Sequence, residues 1–229
     1  MKLTDLFNGQ WPDTILFDLD GTLVDSAPDL AAATDAMLVA MGKVAAGEQK
    51  VREWVGNGAS VLVRRALAGR HDYQADDHHD ESTVERALDL FFDAYHEVNG
   101  HHATVFEGIE TFLQFASNQG CKLGVVTNKP MAFTDDLLER MGLAHWFDVT
   151  VSGDTLAVKK PNPEPLHHAL ESLGGALEKT LMVGDSITDI SAAKNAGVPV
   201  VAVRYGYNYG GPVDELGAEI VVDSLTELL

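Results

Sequence analysis

The chain has 229 residues, 45% of them hydrophobic and 22% charged, which is enough for one large domain or a core carrying a modest insert. This composition excludes a disordered polymer, and the length excludes a disulfide-stapled miniprotein. Sixteen Lys and Arg against 35 Asp and Glu leave a formal net charge of -19, which disfavours nucleic-acid and anionic-membrane partners.

In chain order, the first short apolar run, Thr14 to Phe17, reads as a buried strand. From Val24 to Thr104 only helical patterns follow. Ser26, Pro28 and Asp29 form a helix start, with Leu30, Ala33, Met37, Leu38 and Met41 on one face and Gly42 as the stop. Val51 to Leu67 holds a short helix, the turn Gly56-Asn57-Gly58, and a second helix carrying Arg64 and Arg65. His71 to Glu81 is acidic and polar and reads as a solvated loop. Ser82 with Glu85 starts another helix, through Val84, Leu88, Phe91, Phe92 and Tyr95 to about Gly100.

Beyond it, helices and strands alternate. Helical patterns closed by Gly120, Gly142 and Gly174 lie among apolar runs at Leu123 to Val126, Val149 to Val151, Leu181 to Val183, Val198 to Val203 and Ile220 to Val222. Strands apolar on both faces predict an α/β protein with a Rossmann-like parallel sheet, whose ligands lie at the carboxyl ends of the strands. The expected division is a core of residues 1–23 and 105–229 with an inserted helical cap, residues 24–104.

The single cysteine, Cys121, cannot form an internal disulfide and reads as a small buried hydrophobe. No apolar run approaches the about 20 residues of a membrane span, and Met1 to Trp11 lacks the pattern of a signal peptide. A cytoplasmic location is expected, and a monomer and a dimer fit the composition equally.

Four runs carry chemistry. Asp18-Leu19-Asp20-Gly21-Thr22 follows the first strand and aims two carboxylates into one crevice, where their repulsion calls for a cation; hard oxygens suit Mg²⁺. The alternative is a surface turn. Gly184-Asp185-Ser186-Ile187-Thr188-Asp189 follows another strand, so Asp185 reads as a further metal ligand. Asp189 reads either as orienting a neighbour of the metal or as part of a helix's first turn. Thr127 and Asn128, after Leu123 to Val126, offer a hydroxyl and an amide to phosphate oxygens. Lys160, ahead of a proline-punctuated helix start, either projects a cation into the crevice or is a solvated loop lysine.

In this order and placement the four runs resemble the haloacid-dehalogenase superfamily of phosphotransferases, over most of the chain from Asp13 to Leu229. The resemblance implies that Asp18 is the nucleophile, forming an aspartyl-phosphate, and Asp20 the general acid and base. It further implies that Thr127 and Asn128 hold the phosphoryl oxygens and that Lys160 balances charge. Asp18, Asp185 and the backbone carbonyl of Asp20 would hold Mg²⁺. Dehalogenases of the superfamily lack the second acid, so Asp20 favours phosphoryl transfer, and the cap implies a small metabolite as substrate.

Trp54 to Ala59 with Arg65, and Tyr205 to Gly210, resemble the branch that acts on 2-phosphoglycolate. Arg65 is then expected to meet the substrate carboxylate, with Arg64 as its rival and Asn57 and Gly58 approaching the ligand; both arginines also read as a solvated helix face. The tyrosine run reads as bracing the loop at the site's edge. The expected activity is Mg²⁺-dependent hydrolysis of 2-phosphoglycolate to glycolate and phosphate. Alternatives are another small sugar phosphate, a phosphomutase, a noncatalytic phosphometabolite sensor and, weakest, Schiff-base chemistry at Lys43 or Lys50. The pairs His78-His79, His101-His102 and His167-His168 have no completing ligand set for a metal.

Overall fold

The computed structural model describes residues 2–73 and 80–229. Its centre is a six-stranded sheet of β1 (Thr14–Phe17), β4 (Lys122–Val126), β5 (Val149–Val151), β6 (Thr180–Gly184), β7 (Val200–Val203) and β8 (Ile220–Val222). The order is β5-β4-β1-β6-β7-β8 and every pairing is parallel. Alternate side chains of β1 feed opposite cores. Ile15 and Phe17 pack with Phe112 and Leu113 of α5 (Ile109–Asn118) and Leu137 of α6 (Met131–Arg140). Leu16 packs on the other face with Leu166 and Leu170 of α7 (Glu164–Leu173) and Ile190 of α8 (Ile187–Ala196).

Register decides where the motifs meet. Phe17 pairs with Val125 of β4 and with Val183 of β6, so Asp18, Thr127 and Asp185 emerge together at the carboxyl ends of the three central strands. The inserted segment contributes α1 (Ala27–Ala40), α2 (Glu48–Trp54), α3 (Ala59–Ala68) and α4 (Glu81–Val98), which share one apolar cluster around Met37, Trp54, Val63, Phe91 and Tyr95. Phe133 of α6 and Tyr207, beyond β7, join that cluster from the core side. No helix of the described residues is long and apolar enough to cross a membrane.

Several local readings change. The insert is bounded by a two-stranded antiparallel ribbon, β2 (Val24–Asp25) with β3 (Thr104–Val105), too short to show a period of two. Ser26 occupies the N-cap of α1 but caps nothing; its hydroxyl donates to Asp20 Oδ1 at 2.5 Å. The start of α4 lies at Asp80, whose carboxylate accepts from Thr83 N at 2.7 Å, while Ser82 only donates to Asp80. β7 begins at Val200, two residues later than expected, because Pro199 has no N–H for a ladder. His78, His79 and most of the expected acidic loop lie outside the described residues. Cys121 is buried with Sγ 3.0 Å from Pro12 O, and burial pushes its thiol up to about 11.

Asp29, read only as part of a helix start, is fully buried and clamps the far end of the insert. Its carboxylate accepts from Gly100 N at 2.8 Å, His102 N at 2.8 Å and Ala103 N at 3.1 Å. Asp29→Ala would leave these N–H groups without their acceptor. The expected loss is about 3 kcal/mol or more in urea unfolding, against within about 0.5 kcal/mol for the exposed Asp89→Ala control.

Candidate active site

The site is built from turns at the carboxyl ends of the parallel strands. Asp18 follows β1, Asp185 follows β6 and Asp189 lies in the first turn of α8, and oxygens of these three buried carboxylates lie within 4.8 Å of one another. Lys160 Nζ stands 2.9 Å from Asp18 Oδ1 and 2.6 Å from Asp189 Oδ1, with 1% of its side chain exposed. Burial acting alone would lower the lysine, but Asp18 and Asp189 hold it above the usual range. Burial, then the charge of Asp189, pushes Asp18 up to about 7. Asp185 is raised by burial and by Asp189 and Asp18.

Asp189 unites both of its readings. Its Oδ2 accepts from Ser186 Oγ at 2.7 Å, Ser186 N at 3.1 Å and Asp185 N at 3.3 Å, closing a capping box, while Oδ1 fixes Lys160. Asp185 Oδ2 accepts from Tyr207 N at 2.7 Å and Oδ1 from Thr22 Oγ1 at 3.3 Å. The backbone carbonyl of Asp20 accepts no backbone N–H among the described residues. The buried carboxylates gathered beside a single lysine are hard oxygens with surplus negative charge, which fit a divalent cation such as Mg²⁺.

Two glycines let these groups approach. Gly21 has φ +87°, and a Cβ there would press on Asp185 and Tyr207; a Cβ on Gly206 would overlap Asp185 Cβ.

Asp20 faces a cleft beneath the cap helices, lined by Asp18, Gly56, Gly58, Thr127, Asn128 and Lys129 and walled by Leu30, Val55, Leu62, Phe91, Phe92, Tyr95 and Phe133. Its volume is about 40 Å³, room for about three waters at 10–15 Å³ each. Asp20 Oδ1 accepts from Ser26 Oγ and, at 3.1 Å, from Lys129 Nζ. Thr127 Oγ1 accepts from Lys129 N at 3.2 Å. Asn128 Nδ2 donates to Lys160 O and, across to the cap, to Gly56 O, both at 3.1 Å. For that amide to hold a phosphate oxygen, one of these bonds must be exchanged. Nothing in the sequence marks Lys129, because a lysine after Thr127-Asn128 has no pattern that separates it from a solvated one.

The cap arginines stand elsewhere than expected. Arg65 is buried but does not line the cleft: Nε donates to His71 O at 3.0 Å, Nη1 to Trp54 O at 2.7 Å and Nη2 to Asn57 Oδ1 at 2.9 Å. Its guanidinium lies 5.1 Å from the Tyr209 ring centroid. Asn57 Nδ2 in turn donates to Thr188 Oγ1 at 3.1 Å, and Tyr209 OH lies 2.6 Å from the same hydroxyl. Arg65 and Asn57 thus brace the Gly56-Asn57-Gly58 turn against the core, and only Gly58 of the expected cap residues reaches the cleft. Arg64 pairs with Glu81 at 2.8 Å on the exposed side. The tyrosine run is the expected brace: Tyr205 OH donates to Thr22 O and Tyr207 OH to Asp25 Oδ1, both at 2.8 Å.

Comparison with known proteins agrees with this geometry. The family profile described as haloacid dehalogenase-like hydrolase matches residues 15–203. A phosphoglycolate phosphatase of Pseudomonas putida is 47% identical over 225 residues, 98% of this chain and 81% of that protein. One of Nitrosococcus oceani is 41% identical over 217 residues, 95% of each chain. A crystal structure from Haemophilus somnus, described as a predicted phosphoglycolate phosphatase, superposes with a TM-score of 0.87 at 34% identity, covering 94% of this chain and 96% of that one. The chain belongs to the haloacid dehalogenase-like hydrolase family. Its enzyme class is that of the phosphoric monoester hydrolases.

Gly206→Ala tests the close packing around Asp185. Displacing that carboxylate by about 1 Å is expected to lower phosphate release about 100-fold. The check is a phosphatase assay run beside a thermal melt, in which the variant still unfolds cooperatively.

Proposed function

We propose that the enzyme hydrolyses 2-phosphoglycolate to glycolate and inorganic phosphate, with Mg²⁺ as cofactor, through an aspartyl-phosphate on Asp18, in the cytoplasm. Residues 24–104 serve as its cap. The observation that carries the reading is the pairing of Asp18, ion-paired to Lys160, with a second acid, Asp20, at the mouth of a cleft of about 40 Å³. The names of the similar proteins support 2-phosphoglycolate among small phosphomonoesters.

In the first step an Asp18 oxygen attacks phosphorus, and the bond to the ester oxygen breaks as Asp20 gives that oxygen its proton. In the second, Asp20 takes a proton from water, which attacks phosphorus and returns Asp18 as carboxylate. Thr127 and Asn128 hold the phosphoryl oxygens, and Lys160 offsets their charge. Asp18, Asp185 and the Asp20 carbonyl would hold Mg²⁺, which neutralises the charge that spreads over the transferring group. Ser26 and Lys129 donate to the same Asp20 oxygen, which orients the carboxyl and leaves its Oδ2 for the proton. The cap walls keep bulk water from the leaving group.

The assay is phosphate release with Mg²⁺ and with EDTA across 2-phosphoglycolate, sugar phosphates and nucleotides. The expected outcome is a metal-dependent preference for 2-phosphoglycolate and a loss of about 10⁴-fold or more in Asp18→Asn. Comparable turnover of the whole panel would remove the substrate assignment, and full activity of Asp18→Asn would remove the covalent mechanism.

A further inference from the structure

A carboxylate carried on the leaving group must be buried beneath the cap, among Phe91, Phe92 and Phe133, where an unpaired charge is strongly disfavoured. The arginine that the sequence offered for it is turned away. Arg65 is held by three oxygens of the cap and the Tyr209 ring, Arg64 by Glu81, and Arg52 by Asp25 and Glu48. Among the described residues the one cation that lines the cleft is Lys129.

Lys129 is placed for recognition as well as for support of Asp20. It leaves β4 directly after Thr127 and Asn128, its side chain is 3% exposed, and its Nζ donates to Asp20 Oδ1 at 3.1 Å. Nζ also donates to the hydroxyl of Tyr95 on cap helix α4, and it lies 4.7 Å from the centroid of that ring. Tyr95 is itself fixed by Phe91 and Phe133, with centroids 5.4 Å and 4.7 Å away. An ammonium has three N–H donors. Two are directed at Asp20 and Tyr95, so one remains for a ligand. Its position beside Asp20, the residue assigned to protonate the leaving oxygen, puts that donor on the leaving-group side of the phosphate.

We propose that Lys129 is the residue that selects a carboxylate-bearing leaving group, binding that carboxylate through its remaining N–H while Tyr95, from the cap, aims the ammonium. The inference rests on the proposed phosphatase reading and deepens it. Recognition and cap position are then coupled, because the hydroxyl that orients the lysine belongs to the cap and the lysine to the core. A neutral leaving group leaves the ammonium with Asp20 and Tyr95 alone and gains nothing from the third donor.

The test is the ratio of kcat/KM for 2-phosphoglycolate to that for ethyl phosphate, which lacks the carboxylate. The wild type is expected to favour 2-phosphoglycolate, and Lys129→Met, which keeps the apolar stem, is expected to lower the ratio about 100-fold. Tyr95→Phe keeps the ring and serves if the first variant does not fold. Its ratio is expected to fall about fivefold, mainly through KM for 2-phosphoglycolate. An unchanged ratio in a folded variant, with both substrates slowed alike, would overturn the proposal and leave Lys129 as a positioning residue for Asp20. A wild type that hydrolyses ethyl phosphate without preferring 2-phosphoglycolate would instead overturn the substrate assignment on which the inference rests.

Discussion

Three buried carboxylates gathered around one lysine are the constraint on which the rest of this structure depends. Asp18, Asp185 and Asp189 meet because β1 and β6 are adjacent, parallel and in a register that ends both strands at the same level. Lys160 offsets part of that charge, and the peptide N–H groups of Asp185, Ser186 and Tyr207 offset more. What remains is an excess of hard-oxygen negative charge away from water, an arrangement that burial and mutual repulsion make unfavourable for the fold alone. The same excess would suit a divalent cation, whose charge could then offset that of a phosphoryl group brought beside it.

The cap is fastened to that site by polar contacts and is not merely laid over it. Asn128 reaches Gly56, Asn57 reaches Thr188, and Lys129 joins Asp20 to Tyr95. At the hinge end, Tyr207 OH donates to Asp25 and accepts from Ala27 N, while Asp29 grips the returning chain at Gly100, His102 and Ala103. A cleft with room for about three waters must open to admit even a small phosphoester. Contacts that cross between cap and core are individually modest, which would suit a cap that opens for its substrate.

The core was legible because its strands are short apolar runs, three of them followed at once by residues of the proposed site: Phe17 by Asp18, Val126 by Thr127, Gly184 by Asp185. A parallel sheet gathers such residues at the carboxyl ends of its strands, so four separated motifs could be placed together before any geometry was known. The cap was legible as helices but not as a binding surface. Arg65 satisfied the chemistry of carboxylate recognition on paper, yet its direction is set by Trp54, Asn57, His71 and Tyr209, whose positions depend on packing between helices. Lys129 is the converse case, a loop lysine whose meaning comes from Tyr95 and Asp20, partners far from it in sequence. Ser26 and Asp29 carried a true helix-start signal while their side chains serve other groups.

The most direct test of the central claim is the unfolding midpoint with and without Mg²⁺, for the wild type and for Asp185→Asn. A ligand at about 100 times its Kd adds about 2.7 kcal/mol, which for a chain of this size is about 5–10 °C in Tm. The account predicts such a rise in the wild type, its loss in Asp185→Asn, and a metal-free midpoint in the variant no lower than that of the wild type, since one of the repelling charges is gone. No rise with Mg²⁺, or an equal rise in Asp185→Asn, would contradict it.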